Sequence, residues 1–86
     1  MAETFLLEVV TPQSVVVSSQ VEDVTAPGDI GEFGILPGHT FFVSLLSAGK
    51  LSYLVNGKRE FLTIGKGFAE VNLDRVTVIV DFADYP

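Results

Sequence analysis

The sequence predicts an all-β domain, an antiparallel sandwich or barrel of short strands. Apolar and polar residues alternate over short segments, turn residues separate these segments at regular spacing, and no segment of helical length has apolar residues at a 3.6-residue period. The chain is rich in valine, whose branched Cβ favours pleated strands. Because 86 residues leave room for only one core, we expect residues 1–86 to form one domain.

The first half of the chain contains four predicted strands. Phe5–Val10 alternates, with Phe5, Leu7 and Val9 on one face, and Thr11-Pro12 ends it. An apolar run at 41–46 is long enough for a buried strand, which would place either Phe41 or Phe42 in the core. The other two predicted strands are 14–18 and 21–26.

The second half is predicted to form two hairpins. Asn56-Gly57 is the strongest short hairpin signal in the chain and lies between 51–55 and Lys58–Ile64. After a turn at residues 65–67, strands at 68–72 and 75–82 follow. The last strand alternates, with four residues expected to point inward: Val76, Val78, Val80 and Phe82.

The segment between the third and fourth strands contains four glycines, one proline and the only histidine in residues 28–39. Pro37-Gly38 suits the central positions of a type II turn, since proline fixes φ and glycine supplies a positive φ. We therefore expect a double turn around a short extended segment at 33–36, which holds Glu32 and His39 on one rim.

The charge is unevenly distributed. The net charge is −6, and no lysine or arginine precedes Lys50. This disfavours a nucleic-acid binder and indicates either a basic partner or a solubilising surface. The chain has no cysteine, no apolar run of the ~20 residues that span a bilayer, and no recognisable signal or transit peptide. We expect a cytosolic or stromal protein that can sit on a membrane complex without inserting.

Motifs for chemistry are sparse. The single His39 could pair with a hydroxyl or a carboxylate, but no nucleophile elbow is present. Glu22 and Asp23 are adjacent, so on a strand they point to opposite faces, and Asp29 with Glu32 supplies too few oxygens for a calcium site. The glycine spacing fails the dinucleotide-binding pattern. We therefore expect no catalytic residue, no metal and no cofactor.

Residues 31–39, Gly-Glu-Phe-Gly-Ile-Leu-Pro-Gly-His, resemble the epsilon subunit of F-type ATP synthase, whose pattern is Gly-Glu-x-Gly-Ile-x-Pro-Gly-His. The flanking segments agree, so the resemblance covers essentially the whole chain. It implies a flattened β-sandwich of about ten short strands. The sandwich would be a non-catalytic part of the rotating central stalk that couples ion-driven rotation to ATP synthesis.

The resemblance also implies partners for particular residues. One apolar face would pack on the gamma subunit, and the lower rim would rest on the polar loops of the c-ring, which carry a basic residue in this family. Gly31, Glu32 and Phe33 would face the c-ring. His39, Phe42 and Ser44 would face gamma.

Members of this family usually continue into a C-terminal helical hairpin, and these residues stop where that hairpin would begin. The chain is expected to be a truncated or a naturally short form, and the hairpin's inhibitory and ATP-binding roles are not assigned to it. The absence of a transit peptide favours the cytoplasmic face of a bacterial inner membrane, peripherally attached, with the stromal face of a plastid thylakoid as the alternative.

Two other functions stay open. The chain could be a generic β-sandwich module that binds a small ligand or a peptide at the Gly28–His39 loop. It could also be a small enzyme that uses His39.

Overall fold

In the computed structural model, which describes residues 3–38 and 40–85, ten strands form one sheet that curls around a single apolar core. The described residues contain no helix. The all-β prediction is therefore confirmed. The strands are β1 (Phe5–Val10), β2 (Val15–Val21), β3 (Asp23–Gly28), β4 (Gly31–Ile35), β5 (Phe42–Leu46), β6 (Gly49–Val55), β7 (Lys58–Ile64), β8 (Gly67–Val71), β9 (Arg75–Val80) and β10 (Ala83–Asp84).

The order of strands across the sheet is β10-β7-β6-β3-β5-β8-β9-β1-β2, and β4 pairs with β3. Neighbouring strands are antiparallel with one exception, since β1 and β9 run parallel and pair Leu7 with Val76. The predicted antiparallel arrangement therefore holds for the other strand pairs, and the sequence did not indicate this one parallel pair. Local alternation sets which face of a strand is buried, but it does not fix which strand becomes the neighbour.

Strand β3 joins the two halves of the sheet. Its residues Asp23 to Thr25 pair with β6, whereas its last residue, Gly28, pairs with Leu46 of β5. The change of partner occurs at Pro27, which has no amide hydrogen to give to a ladder. The Pro27 carbonyl instead accepts a hydrogen bond from the Ser47 amide at 2.8 Å.

The core contains alternate residues of the strands, as the sequence predicts for β1 and β9. Phe5, Leu7 and Val9 are at most 2% exposed. No polar or charged side chain among the described residues is buried with them, apart from the hydroxyl of Tyr53. Inward-facing residues of β9 are Val76, Val78 and Val80.

Two burial expectations were wrong. Phe82 is 44% exposed because the chain bends at Asp81 and leaves β9, so that the Phe82 carbonyl accepts a hydrogen bond from the Gly65 amide. Neither Phe41 nor Phe42 enters the core, since they are 64% and 36% exposed. β5 meets β3 only at its last residue, so most of this strand has no neighbour on that side.

The hairpin at Asn56-Gly57 is confirmed in position and register. Val55 pairs with Lys58 across the turn. Asn56 and Gly57 both have positive φ, at 51° and 76°, which is the geometry of a type I′ turn.

Candidate functional site

A surface groove of about 510 Å³ lies between β4 and the start of β5. It brings together most of the residues that the sequence singled out, including the proposed c-ring-facing residues and two of the gamma-facing ones. His39 lies outside the described residues. The lining of this β4–β5 groove is Gly28, Ile30, Gly31, Glu32, Phe33, Gly34, Phe42, Val43 and Ser44.

The tight β3–β4 hairpin forms one end of the groove. Gly28 pairs with Gly31, and only Asp29 and Ile30 lie between them. A Cβ on Gly28 would come within 2.7 Å of the Gly31 carbonyl oxygen and 3.0 Å of the Phe33 ring, and Gly31 has a φ of +137°. Both positions therefore require glycine, which lets the Phe33 ring lie close over the backbone.

Two phenylalanines form the aromatic part of the groove. Phe33 is half-buried and packs against the core, whereas Phe42 is 36% exposed. Their ring centroids are 6.1 Å apart with an interplanar angle of 66°, which is edge-to-face packing. Phe33 was expected to face the c-ring and Phe42 to face gamma, so the two predicted contact regions adjoin each other.

The lip of the groove is acidic. Asp29 and Glu32 are exposed, and among the described residues neither carboxylate forms an ion pair. We call these two residues the acidic rim. Between them, Ile30 is 98% exposed, so a complete aliphatic side chain projects into solvent. The Asp29 amide donates to the Leu45 carbonyl at 3.2 Å, which ties the turn to β5.

A row of apolar side chains crosses the outer face of the sheet next to the groove. Leu45 pairs with Phe68, Phe68 with Ile79, Ile79 with Val10, and Val10 with Val15. We call these five residues the outer apolar row. Leu45 is 62% exposed and Val15 57%, so both ends of the row are open to solvent. For four of the five residues the sequence could have revealed the row, since they have the opposite parity to the buried residues of their strands. Val15 has the same parity as the buried Val17 and Val21, and it pairs with Val10 because the register between β1 and β2 shifts at this point.

An ion pair that sequence analysis missed fastens β3 to β7. The guanidinium of Arg59 donates to both carboxylate oxygens of Asp23, at 2.6 and 3.0 Å, and also donates to the Ser52 hydroxyl at 3.3 Å. The hydrogen bond to Asp23 raises the pKa of Arg59. The adjacent Glu22 accepts from the Gly57 amide instead, so the two carboxylates diverge as predicted.

A tyrosine pair fastens the last described residues to the sheet. The hydroxyls of Tyr53 on β6 and Tyr85 lie 2.9 Å apart. Burial, followed by this hydrogen bond, raises the pKa of the Tyr53 phenol above its ordinary value of 10.0. The pair lies outside the β4–β5 groove and has a structural role.

Features of other functional classes are missing from the part of the chain that the structure describes. No group of three or more histidine, cysteine or acidic side chains converges on a possible metal position. Residues 3–38 and 40–85 also include no helix with the length and apolarity needed to cross a bilayer.

Comparison with known families and proteins gives a consistent result. The family described as "ATP synthase, Delta/Epsilon chain, beta-sandwich domain" matches residues 4–85. The ATP synthase epsilon chain of Desulfosudis oleivorans is 49% identical over 85 residues, which are 98% of this chain and 64% of that relative. The epsilon chain of Koribacter versatilis is 43% identical over 86 residues, which are 100% of this chain and 61% of that relative. The chain thus spans less than two thirds of these relatives.

Solved structures show the same fold. A chain of the Euglena gracilis mitochondrial ATP synthase, solved by cryo-EM as OSCP, F1 and c-ring in one rotational state, superposes with a TM-score of 0.90 and 26% identity, over 99% of this chain and 55% of that chain. A chain from the central stalk and c-ring of the Tetrahymena thermophila mitochondrial ATP synthase superposes with a TM-score of 0.78 over 95% of this chain and 66% of that chain. At 12% identity, the second likeness concerns the fold alone.

Proposed function

Because this chain belongs to the family of the ATP synthase delta/epsilon chain β-sandwich domain, we propose that it acts as a non-catalytic part of the rotor of an F-type ATP synthase. It would bind the gamma subunit and the polar loops of the c-ring and transmit ion-driven rotation toward ATP synthesis. The observation that carries this proposal is the exposed strand β5, which lies between an acidic rim and an open apolar row.

The acidic rim suits a contact with the c-ring. Glu32 is exposed, has no cationic partner among the described residues, and lies next to Gly31, whose missing side chain permits close approach. A basic residue on a polar loop would complement this carboxylate and fix the register of the contact. Gly31, Glu32 and Phe33 remain our proposed c-ring-facing residues.

The apolar surface beside β5 suits a contact with gamma. Phe42, Val43 and Ser44 line the groove along β5, and Val43 and Leu45 are 57% and 62% exposed. A contiguous exposed apolar surface is typical of a protein interface. We propose that gamma covers the outer apolar row together with Phe42 and Ser44, and we keep His39 as a proposed contact from its position in the sequence.

The chain would then lie peripherally at the membrane, on the cytoplasmic face in a bacterium.

Co-purification with gamma and the c-ring tests this proposal directly. A tagged chain should retain both partners, and Glu32→Lys should weaken retention of the c-ring while changing the free energy of unfolding by less than about 0.5 kcal/mol, as is usual for an exposed residue. Glu3→Lys makes the same charge change at an exposed position outside the groove and should leave c-ring binding unchanged. Failure of the unmodified chain to retain either partner would exclude the rotor function.

The β4–β5 groove also keeps a second candidate function open, a module that binds a small ligand or peptide at the Gly28–His39 loop. A groove of about 510 Å³ is within the size range of ligand sites. Ligand-induced NMR shifts confined to Asp29, Glu32 and His39, without any response to gamma, would favour this second function over the rotor.

A further inference from the structure

The tip of the β6–β7 hairpin lies outside the β4–β5 groove and the outer apolar row, and it brings two reactive groups together. Asn56 and Gly57 form its two-residue turn, and both residues are exposed. The side-chain amide of Asn56 is an electrophile, and the backbone nitrogen of Gly57 is the next nucleophile along the chain. A Cβ built on Gly57 would meet none of the described residues within 4 Å, so the turn is open to solvent on this side and has room to rearrange.

The Gly57 amide has a hydrogen-bond partner outside its own turn. Val55 pairs with Lys58, so the ladder closes before it reaches the two central residues. The Gly57 amide instead donates to Oε2 of Glu22 at 3.3 Å. Glu22 directly follows β2 and lies 35 positions earlier in the chain, so this hydrogen bond joins the β2–β3 corner to the tip of the hairpin.

We propose that Asn56 is a site of spontaneous deamidation and that Glu22 restrains the reaction. The Gly57 nitrogen gives up its proton to solvent and attacks Cγ of Asn56. A bond forms between this nitrogen and Cγ, the bond between Cγ and the side-chain nitrogen breaks, and the side-chain nitrogen takes up a proton and leaves as ammonia. Water then opens the resulting cyclic imide at one of its two carbonyl groups, which leaves an aspartyl or an isoaspartyl residue at this position.

The carboxylate of Glu22 opposes the first step in two ways. Its hydrogen bond must break before the Gly57 nitrogen can lose a proton. Its negative charge also disfavours the nitrogen anion, because two like charges at this distance repel each other. A carboxylate is far too weak a base to remove an amide proton itself. The contact therefore slows the reaction rather than catalysing it.

Deamidation would change the tip of the hairpin in both charge and geometry. Each product replaces a neutral amide with a carboxylate, next to the residue that Glu22 contacts. The isoaspartyl product also adds a methylene group to the main chain inside a two-residue turn, whose register depends on its length. The proposal concerns chemical ageing of this chain and does not depend on the proposed rotor function.

Incubation of the purified chain at mildly alkaline pH tests the proposal. Peptide mapping by mass spectrometry gives the rate at which aspartyl and isoaspartyl peptides appear at position 56. Glu22→Ala should raise this rate about fivefold, the change expected when one exposed hydrogen bond to a charged group is removed. Glu60→Ala is the matched control on the hairpin itself, because the Glu60 carboxylate lies 3.8 Å from the Lys58 ammonium rather than at the Gly57 amide. This control should deamidate at the rate of the unmodified chain.

Two further measurements separate the loss of the restraint from a loss of stability. Urea unfolding gives the unfolded fraction of each variant, and the faster reaction of Glu22→Ala should exceed what this fraction accounts for. Hydrogen exchange at the Gly57 amide should also be faster in Glu22→Ala than in the unmodified chain.

Four results would overturn the proposal: no deamidation at Asn56 in either the unmodified chain or Glu22→Ala, equal rates in these two proteins, an equal acceleration by Glu60→Ala, or an acceleration that unfolding explains completely. Retention or loss of gamma and the c-ring changes none of these readouts. The proposed function and this inference can therefore fail independently of each other.

Discussion

Leu45→Ala separates partner binding by β5 from the structural role of that strand. The Leu45 side chain is 62% exposed on the outer face, at one end of the outer apolar row. Complete burial of a leucine side chain contributes about 1.5–3 kcal/mol. Because 62% of Leu45 is exposed, burial of this part by a partner would contribute about 1–2 kcal/mol to binding, and the part already buried contributes no more than about 1 kcal/mol to folding. The substitution should therefore weaken gamma binding about 5–30-fold and lower the free energy of unfolding by about 1 kcal/mol or less.

The neighbouring residue provides the control. Leu46 is 3% exposed and packs in the core, so Leu46→Ala should cost about 2–5 kcal/mol of unfolding free energy without removing a side chain from the outer face. Unfolding in urea gives the stability of each variant. Calorimetric titration with purified gamma gives the affinity under conditions where both variants remain folded.

Leu45→Ala should thus lower the affinity for gamma with little loss of stability, whereas Leu46→Ala should lower the stability with little loss of affinity. If Leu45→Ala binds gamma within twofold of the unmodified chain, the outer apolar row is not part of the gamma interface. If Leu45→Ala destabilises the chain as much as Leu46→Ala, then the Leu45 side chain mainly stabilises the fold, and our inference that most of it is available to a partner is wrong.

Three further predictions concern stability. Because the pKa of Tyr53 is raised in the folded state, its contribution to the free energy of unfolding is complete below pH 10 and is lost as the pH rises further. Tyr53→Phe should therefore reduce the loss of stability at alkaline pH, as measured by urea unfolding at a series of pH values. Arg59→Met removes both hydrogen bonds to Asp23 and should cost about 1 kcal/mol after allowance for solvent screening, and a double-mutant cycle with Asp23→Asn should show non-additivity. Gly67→Ala places a Cβ against a carbonyl of the adjacent strand and should cost about 2–3 kcal/mol in thermal unfolding, whereas Gly34→Ala, with its nearest atom at 3.9 Å, should be nearly neutral. Equal losses for the two alanine variants would contradict the close approach of β8 and β9.

Sequence alone predicted the parts of the fold that local chemistry controls. In β1 the two-residue period gave the buried face correctly, because each side chain's orientation is set within its own strand. The Asn56-Gly57 pair gave an exact hairpin register, since both residues tolerate the positive φ of a type I′ turn.

Features that depend on distant partners were not predictable in this way. The run at β5 is apolar enough for a buried strand, yet its exposure depends on β3 changing partner at Pro27. The bidentate pair of Asp23 and Arg59 joins strands that are far apart in the chain, and no local spacing indicates it. Phe82 continued the period of β9 in the sequence, but the chain had already turned toward β7.

The candidate site was predicted in composition but not in geometry. The glycine-rich segment correctly indicated an exposed Glu32 next to a tight turn, on strand β4. It did not indicate that Phe33 and Phe42 touch, because their contact requires β5 to lie alongside the end of β3. The two sets of proposed contact residues therefore looked separate in the sequence, whereas they share one groove.

The parallel pairing of β1 with β9 has a consequence for how the polypeptide acquires its structure. β1 can form its hairpin with β2 early, but its other edge stays open until the segment from Arg75 onward is available. Closing this pair requires ordering of a long intervening loop, and such non-local contacts slow folding. During synthesis on the ribosome β1 would wait until the segment from Arg75 onward has been made, so a chaperone that shields β1 should raise the yield of native protein more than one that shields the β6–β7 hairpin.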